Sequence, residues 1–376
     1  MKLRIVHLTS SHPSTDTRIY HKYCKSCSTK YSTILITSDS HLPLDCPLSL
    51  QVISTGRLHN RLLRFSLGAF KVFFLSLRFV SRDSVFHIHD PELLPYGVCL
   101  RLLGAHVIFD SHEDYPVVSC TRGYINPAFA PLVSLTVKLV LRSLLPFYSA
   151  VVSATPYIQS SLGKLGISSQ VVYNYPLLEK YTQRADGVIS QFSSKNSNVV
   201  YVGGVSFFRG IYYLVEAFNF LSQDYILHIL GNSFDSGTID YIKTSLPFKR
   251  SQVVLHGHID HLNARSFISR CDVGVVTFLP APNHLNALPN KLFEYMSEKI
   301  PVLASDFPLW STIINESGAG LCVNPKDSMQ ISAAIRYICS TPGVKAKFAD
   351  SGFKAVRTHY NWEAQLHSVF SMYESL

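Results

Sequence analysis

Short apolar runs alternate with longer segments of helical periodicity along nearly the whole chain. The first half reads as strands near 3–9, 32–37, 50–54, 84–89, 106–110, 149–154 and 169–173, with helices near 18–29, 62–80, 91–103, 127–146 and 156–164. The pattern breaks at 174–196, a polar stretch ending in a Ser/Lys/Asn cluster that reads as a linker. It resumes with strands near 198–203, 225–230, 252–256, 272–277, 301–304 and 320–323. The helices of this half fall near 210–221, 236–244, 261–270, 289–298, 326–339, 343–356 and 361–375. Strands alternating with helices make parallel sheets covered on both faces. The expected fold class is therefore α/β, with two Rossmann-like doubly wound parallel-sheet domains, 1–175 and 195–360, facing a cleft. Ligands of such sheets bind at the carboxyl ends of the strands.

Composition agrees with two packed domains. A chain of 376 residues exceeds one ordinary core, and 47% hydrophobic against 16% charged residues exclude a disordered protein. The net charge of +9 is uneven: residues 1–175 hold 17 Lys+Arg against 9 Asp+Glu, and residues 176–376 hold 17 against 16. A basic first half implies an anionic partner there: lipid headgroups, a pyrophosphate or nucleic acid. The eight cysteines are scattered, several in apolar runs such as those of Cys99 and Cys322, as expected of buried reduced thiols in a cytosolic protein. Cys24-x-x-Cys27 has no second pair for a metal. The first apolar run is too short for a secretory signal, and no segment reaches the roughly 20 apolar residues of a spanning helix. Two segments come near. Residues 61–82 set Arg61, Arg64, Lys71, Arg78 and Arg82 among Leu, Phe and Val, and residues 129–148 hold only Lys138 and Arg142 as charges. Both fit cationic helices lying on an anionic membrane, or core helices whose basic residues reach solvent.

The candidate chemistry follows the strands. LPNKLFEYM (288–296) predicts a helix beginning at Pro289. Asn290, Lys291 and Glu294 share one face, with Leu292, Phe293 and Met296 on the other. Free N–H groups at its start suit a phosphate, and a carboxylate one turn on suits the hydroxyls of a nucleotide sugar. A plain amphipathic helix with a Lys–Glu surface pair carries the same pattern. Upstream, Gly203 and Gly204 follow a strand and Arg209-Gly210 open a helix, which gives close backbone approach and a planar fork for a diphosphate. In the first half, FHIHDPELLP (86–95) brings His87, His89, Asp90 and Glu92, and VIFDSHEDYP (107–116) brings Asp110, His112, Glu113 and Asp114. Histidines oriented by carboxylates serve acid–base chemistry. Metal ligation is the rival, though the residues sit on separate loops without H-E-x-x-H spacing. Satisfaction of loop backbones is the third reading. Asp16 or Thr17 can cap the next helix. Arg18 and Lys22, placed against its dipole, suggest an anionic ligand, and a salt bridge to Asp16 is the alternative for Arg18.

Taken together, HPSTDTRIYHK (12–22), HDPELLP, DSHE, YVGG…RG, LPNKLFEYM with PVLAS, GAGLCVNPKD and the closing NWEAQLHSVFSMYESL resemble the bacterial glycosyltransferases called glycosyl transferases group 1 (family 4) nearly end to end. The resemblance implies a GT-B fold whose last helix, 361–376, crosses back to the first domain. It implies sugar transfer with retention of configuration, without a cofactor or a required metal. The partners it implies are a nucleotide-sugar donor, held by the second domain, and an acceptor held by the first. A polyprenyl-pyrophosphate-linked saccharide and an anionic membrane surface then become the expected acceptor and setting. Nucleic acid is not an expected partner. Surface polysaccharide synthesis (O-antigen, capsule or exopolysaccharide, including lipopolysaccharide) at the inner face of the cytoplasmic membrane is the matching role. A nucleotide-sugar epimerase or hydrolase of the same fold is the alternative. By resemblance Glu294 binds the ribose and Arg209 the diphosphate, assisted by Lys291. His112 stands near the reacting sugar, and Asp90 and Glu113 complete the catalytic candidates. Gly203, Gly204 and Asn290 belong to the donor side, and Arg18 and His89 to the acceptor and phosphate side. Asn286 stands where relatives carry a Glu, Val205 where a second basic residue is usual, and Asp16-Thr17-Arg18 where a Gly-Gly is usual.

Overall fold

The computed structural model describes residues 3–376 apart from 57–59, 61–62, 122–125, 179–195, 233–235, 245–251 and 260. Most of the expected linker, and Arg61, lie outside the described residues. The chain divides into unit 1, Met1–Asn174 with Gln365–Leu376, and unit 2, Tyr175–Ala364.

Unit 1 is a parallel sheet in the order β3-β2-β1-β4-β5-β6-β7. Its strands are β1 (Arg4–Thr9), β2 (Ser32–Thr37), β3 (Leu50–Ser54), β4 (Ser84–Ile88), β5 (His106–Ser111), β6 (Ala150–Ser153) and β7 (Gln170–Val171). Alternate residues of a strand point to opposite faces. Val6, Leu8, Phe86, Ile88, Val107 and Phe109 bury one face in a common core. Helices α2 (Ala69–Ser76), α3 (Leu94–Leu102) and α4 (Ala130–Leu144) supply Val72, Leu94 and Leu141 to that core. The other face meets α1 (Thr17–Cys24) and the last helix of the chain, α6 (Glu363–Glu374). Tyr373 brings its hydroxyl 2.7 Å from His87 Nδ1, and Tyr31 donates to Glu374 at 2.8 Å. Helix α1 is wound wider than an α-helix: His21 N bonds Asp16 O, five residues back.

Unit 2 is a second parallel sheet, in the order β10-β9-β8-β11-β12-β13. Its strands are β8 (Ser197–Val202), β9 (Tyr225–Leu230), β10 (Val253–Gly257), β11 (Val273–Val276), β12 (Val302–Ser305) and β13 (Gly320–Val323). Helix α5 (Asn290–Ser297) buries Leu292, Phe293, Tyr295 and Met296. Both sheets are of the doubly wound type expected, and every predicted strand is present. Besides the single helical turn Pro282–Leu285, two helices were not expected, Tyr115–Thr121 and Pro308–Ser317. Each carries Pro at or beside its first position and a β-branched pair within, which lowers local helix propensity. Burial of Trp310, Ile313 and Ile314 overrides that propensity in the second. Cys99 departs from the buried-thiol expectation. All eight cysteines are free, but Cys46 and Cys99 are exposed, the latter on the outer side of α3.

Candidate functional site

Each sheet reverses its strand order once, between β1 and β4 in unit 1 and between β8 and β11 in unit 2. Such a switch point opens a crevice at the carboxyl ends of the two strands. The candidate residues collect at these two places.

In unit 2, β8 ends at Val202 and the chain turns through Gly203, at φ +143°, and Gly204. Gly231 approaches so closely that a Cβ on it would lie 1.9 Å from the Gly203 carbonyl oxygen. Arg209 ends the short turn Phe207–Arg209, and its guanidinium carbon lies 4.3 Å from the centre of the Phe278 ring, just beyond β11. Gly210 follows at φ +75°, where a Cβ would meet Thr277 O at 1.7 Å. Only glycine lets the Arg209 turn rest on the end of β11. Arg209 makes no salt bridge among the described residues, so its donors face no fixed carboxylate.

Helix α5 begins at Asn290, with Pro289 extended just before it rather than inside its first turn. Tyr295 fixes the helix to the sheet. Its hydroxyl accepts from Val202 N at 3.0 Å, and its ring fills the space a Gly274 side chain would need. Lys291 and Glu294 stay on the outer face and pair at 2.6 Å. The preceding loop, with Asn286, is held by Trp310, whose Nε1 donates to Ala287 O at 2.7 Å. His284, in the short helix Pro282–Leu285 just before that loop, is buried 5.0 Å from Phe278 with Nδ1 2.9 Å from Leu279 O. Val205 is buried and offers no surface contact. Tyr295 and His284 were not singled out from sequence, since neither residue type nor spacing marks them.

In unit 1, Asp90 follows β4 and receives the loop that follows β1. Thr9 Oγ1, Ser10 N, Ser11 N and Ser11 Oγ donate to its carboxylate at 2.6–3.2 Å, and His12 Nδ1 lies 2.8 Å away. Burial opposes ionisation of Asp90, but His12 and the hydroxyls outweigh it and hold the carboxylate well below its usual range. His12 opens the 12–22 motif, where neither residue type nor spacing reveals its carboxylate partner. Burial disfavours its charge, yet Asp90, with Asp16 and Glu92 beyond, pushes it up to about 9. The His112 ring stands edge-on 5.0 Å from His12. Burial keeps His112 below the usual imidazole range, against the pull of Asp110 and with the push of His12. The structure thus joins Asp90, His12 and His112 as a carboxylate, a cationic imidazole and a neutral one. Glu113 is half-buried on the same loop, and its carbonyl accepts from Ser111 Oγ.

The charge on His12 gives a test. A raised pKa stabilises the fold fully below the unfolded value of about 6.5, and that stabilisation is lost as pH rises through about 9. The thermal unfolding curves of the wild type and His12→Gln should be separated near neutral pH and should converge above pH 9. A constant separation across that range would remove the charge from His12.

Arg18 and Lys22 depart from the anionic-ligand expectation. Neither is free for a ligand: the anion Arg18 meets is Asp110, not Asp16. Arg18 is 6% exposed and grips Asp110 with Nε at 2.8 Å and Nη2 at 2.7 Å. Lys22 donates to Asn174 O and Oδ1. Asp16 caps the helix through Arg18 N and Ile19 N. His89 is fully buried between His7 and Asp110, at 3.0 and 3.2 Å, and faces no ligand. His7, His87 and His89 offer nitrogens within 4.8 Å of one another, a possible metal set. Their rings are stacked, with interplanar angles of 19–29°, and His7 and His89 already bond each other. Stacked rings do not converge as a tetrahedral ion demands, and the cationic Arg18 is one residue away through Asp110. The cluster is a buried hydrogen-bonded stack. Cys24 and Cys27 are fully buried beside it, and burial pushes the Cys27 thiol up to about 12, away from the thiolate a metal needs.

Residues 196–341 match the family model described as glycosyl transferases group 1. A comparison with the curated proteins found no match. Among solved structures, sucrose-phosphate synthase from Thermosynechococcus elongatus superimposes with a TM-score of 0.77 at 17% identity, covering 100% of this chain and 99% of that one. Alr3699/HepE from Anabaena, in complex with UDP and glucose, gives 0.72 at 14% identity and 100% of both chains. An Escherichia coli trehalose-6-phosphate structure bound with UDP-2-fluoro glucose gives 0.70 at 13% identity and 99% of both. At these identities the likeness establishes the fold. Within that fold, residues 196–341 carry a domain that matches the group 1 glycosyltransferases.

Proposed function

We propose that the protein is a retaining glycosyltransferase that moves a sugar from a nucleotide-sugar donor to a polyprenyl-pyrophosphate-linked saccharide. The setting is bacterial surface polysaccharide synthesis on the inner face of the cytoplasmic membrane. The observation that carries the reading is the anion-ready switch point of unit 2. There the Gly203–Gly204 turn, the unpaired fork of Arg209 and the helix bearing Lys291 and Glu294 surround the ends of two strands, within the region that matches the group 1 model. Solved neighbours that hold UDP or UDP-glucose support a nucleotide-sugar donor. In this reading Glu294 receives the ribose hydroxyls. Arg209, Lys291 and backbone N–H groups stabilise the charge that develops on the departing diphosphate. His112 serves the acceptor side. Asp90 is buried behind it and holds His12 and the loop after β1 in place rather than meeting the acceptor. No metal is required.

A thermal-shift series across UDP-, GDP- and TDP-sugars tests the donor, since a ligand of the folded state raises the melting temperature. Stabilisation by one nucleotide class is expected, followed by nucleotide release only when a lipid-linked acceptor is added. Release without acceptor would instead point to the hydrolase. No stabilisation by any nucleotide sugar would defeat the reading.

A further inference from the structure

Three neighbouring helices of unit 1 leave an apolar outer face. Helices α2, α3 and α4 pack on the same side of the sheet. Phe73 stacks on Tyr96 at 4.9 Å and Phe70 meets the same ring at 6.5 Å, so α2 and α3 are joined edge to edge. Outward from this layer stand Phe70, Phe74, Leu132, Leu135, Leu139 and Phe147, each 49–63% exposed. Helix α4 contributes only Leu141 to the buried core over its whole length. Soluble surfaces rarely present large side chains of this kind on adjoining elements without an occupant.

The charges identify the occupant. Lys71, Arg78, Arg101, Lys138 and Arg142 are exposed on residues 63–80, 94–103 and 129–147, segments that also hold the half-buried Arg64 and not one Asp or Glu. We infer that this three-helix face lies on an anionic lipid bilayer, with its Phe and Leu side chains at the acyl boundary and its Arg and Lys side chains at the headgroups. A protein partner of ordinary composition would call for acidic residues on this face as well as basic ones. Ala130–Phe147 is long and apolar enough to cross a membrane by length and composition. It does not cross here, because Leu141 and Leu145 are built into the core of unit 1 and hold its final turns against the sheet. The helix lies along the surface. This deepens the proposed function, since it rests on an acceptor that resides in the membrane, but its test does not involve the donor.

The full-length protein should float with vesicles of phosphatidylcholine containing phosphatidylglycerol, less so as salt is raised, and not with phosphatidylcholine alone. Lys138→Glu with Arg142→Glu should weaken that binding roughly tenfold or more. Leu135→Ser with Leu139→Ser should weaken it as well. Neither pair should alter the melting temperature or its shift by a nucleotide sugar. Equal binding to both vesicle types, or none, overturns the inference. So does a concentration-dependent dimer that the serine pair dissolves, since a second copy would then be the occupant. If vesicles bind but no nucleotide sugar does, the donor reading falls and the membrane face stands.

Discussion

Replacing Asp110 with alanine is expected to destabilise unit 1 by about 3–5 kcal/mol, because it strands the Arg18 guanidinium in the core without its counter-charge. The pair is bidentate and wholly buried, at 2.7 and 2.8 Å. Arg18 also donates to Val172 O at 3.1 Å, and Nη1 has no partner among the described residues. Little else can neutralise it. Asp110 also holds His89 at 3.2 Å, so the loss reaches the histidine stack. For a domain of this size the melting temperature should fall by roughly 6–20 °C. Arg18→Met with Asp110→Leu should recover much of that loss, since matched apolar replacements avoid the unpaired charge. Calorimetry of the three proteins decides. An alanine variant that melts with the wild type would show the ion pair to be dispensable.

Arg209→Ala should reduce turnover about a hundredfold, the usual cost of losing one donor to developing charge, with the melting temperature unchanged. The geometry favours kcat over stability as the readout. Arg209 rests on Phe278 and forms no salt bridge among the described residues, so the fold loses little when it is removed. Glu294→Ala should act differently and weaken donor binding, seen as a higher KM for the nucleotide sugar. It also releases Lys291 from its 2.6 Å pair, so Lys291→Ala alone is the control that separates the two roles. Wild-type transfer by Arg209→Ala would exclude it from the diphosphate.

The strand pattern was legible because apolar runs of both sheets are buried on two faces and bounded by polar turns. Both switch points follow from strand order, which the sequence does not display. The helix Pro308–Ser317 was hidden by Thr312-Ile313-Ile314, a β-branched run that reads as a strand until Trp310 is seen in the core. Among site residues, Gly210 and Arg209 were recognisable by type. Tyr295 was not, because its role is to fill the space left by Gly274 and to reach Val202. Arg18 was misread for a related reason: a basic residue at a helix start looks like an anion site unless the partner, 92 positions away, is known. His12 needed both loops before its carboxylate appeared.

Unit 1 is assembled from two distant pieces of chain. Residues 365–376 complete it after the 190 residues of unit 2 have been made. At 5–20 residues per second the first piece waits roughly 10 to 40 s for Tyr373 to reach His87. During that interval unit 2 can close on its own while the sheet of its neighbour lacks one of the two helices, α1 and α6, that cover its second face. The order of synthesis and the order of completion are therefore reversed in this protein, and the nascent first half has the longer need of a chaperone.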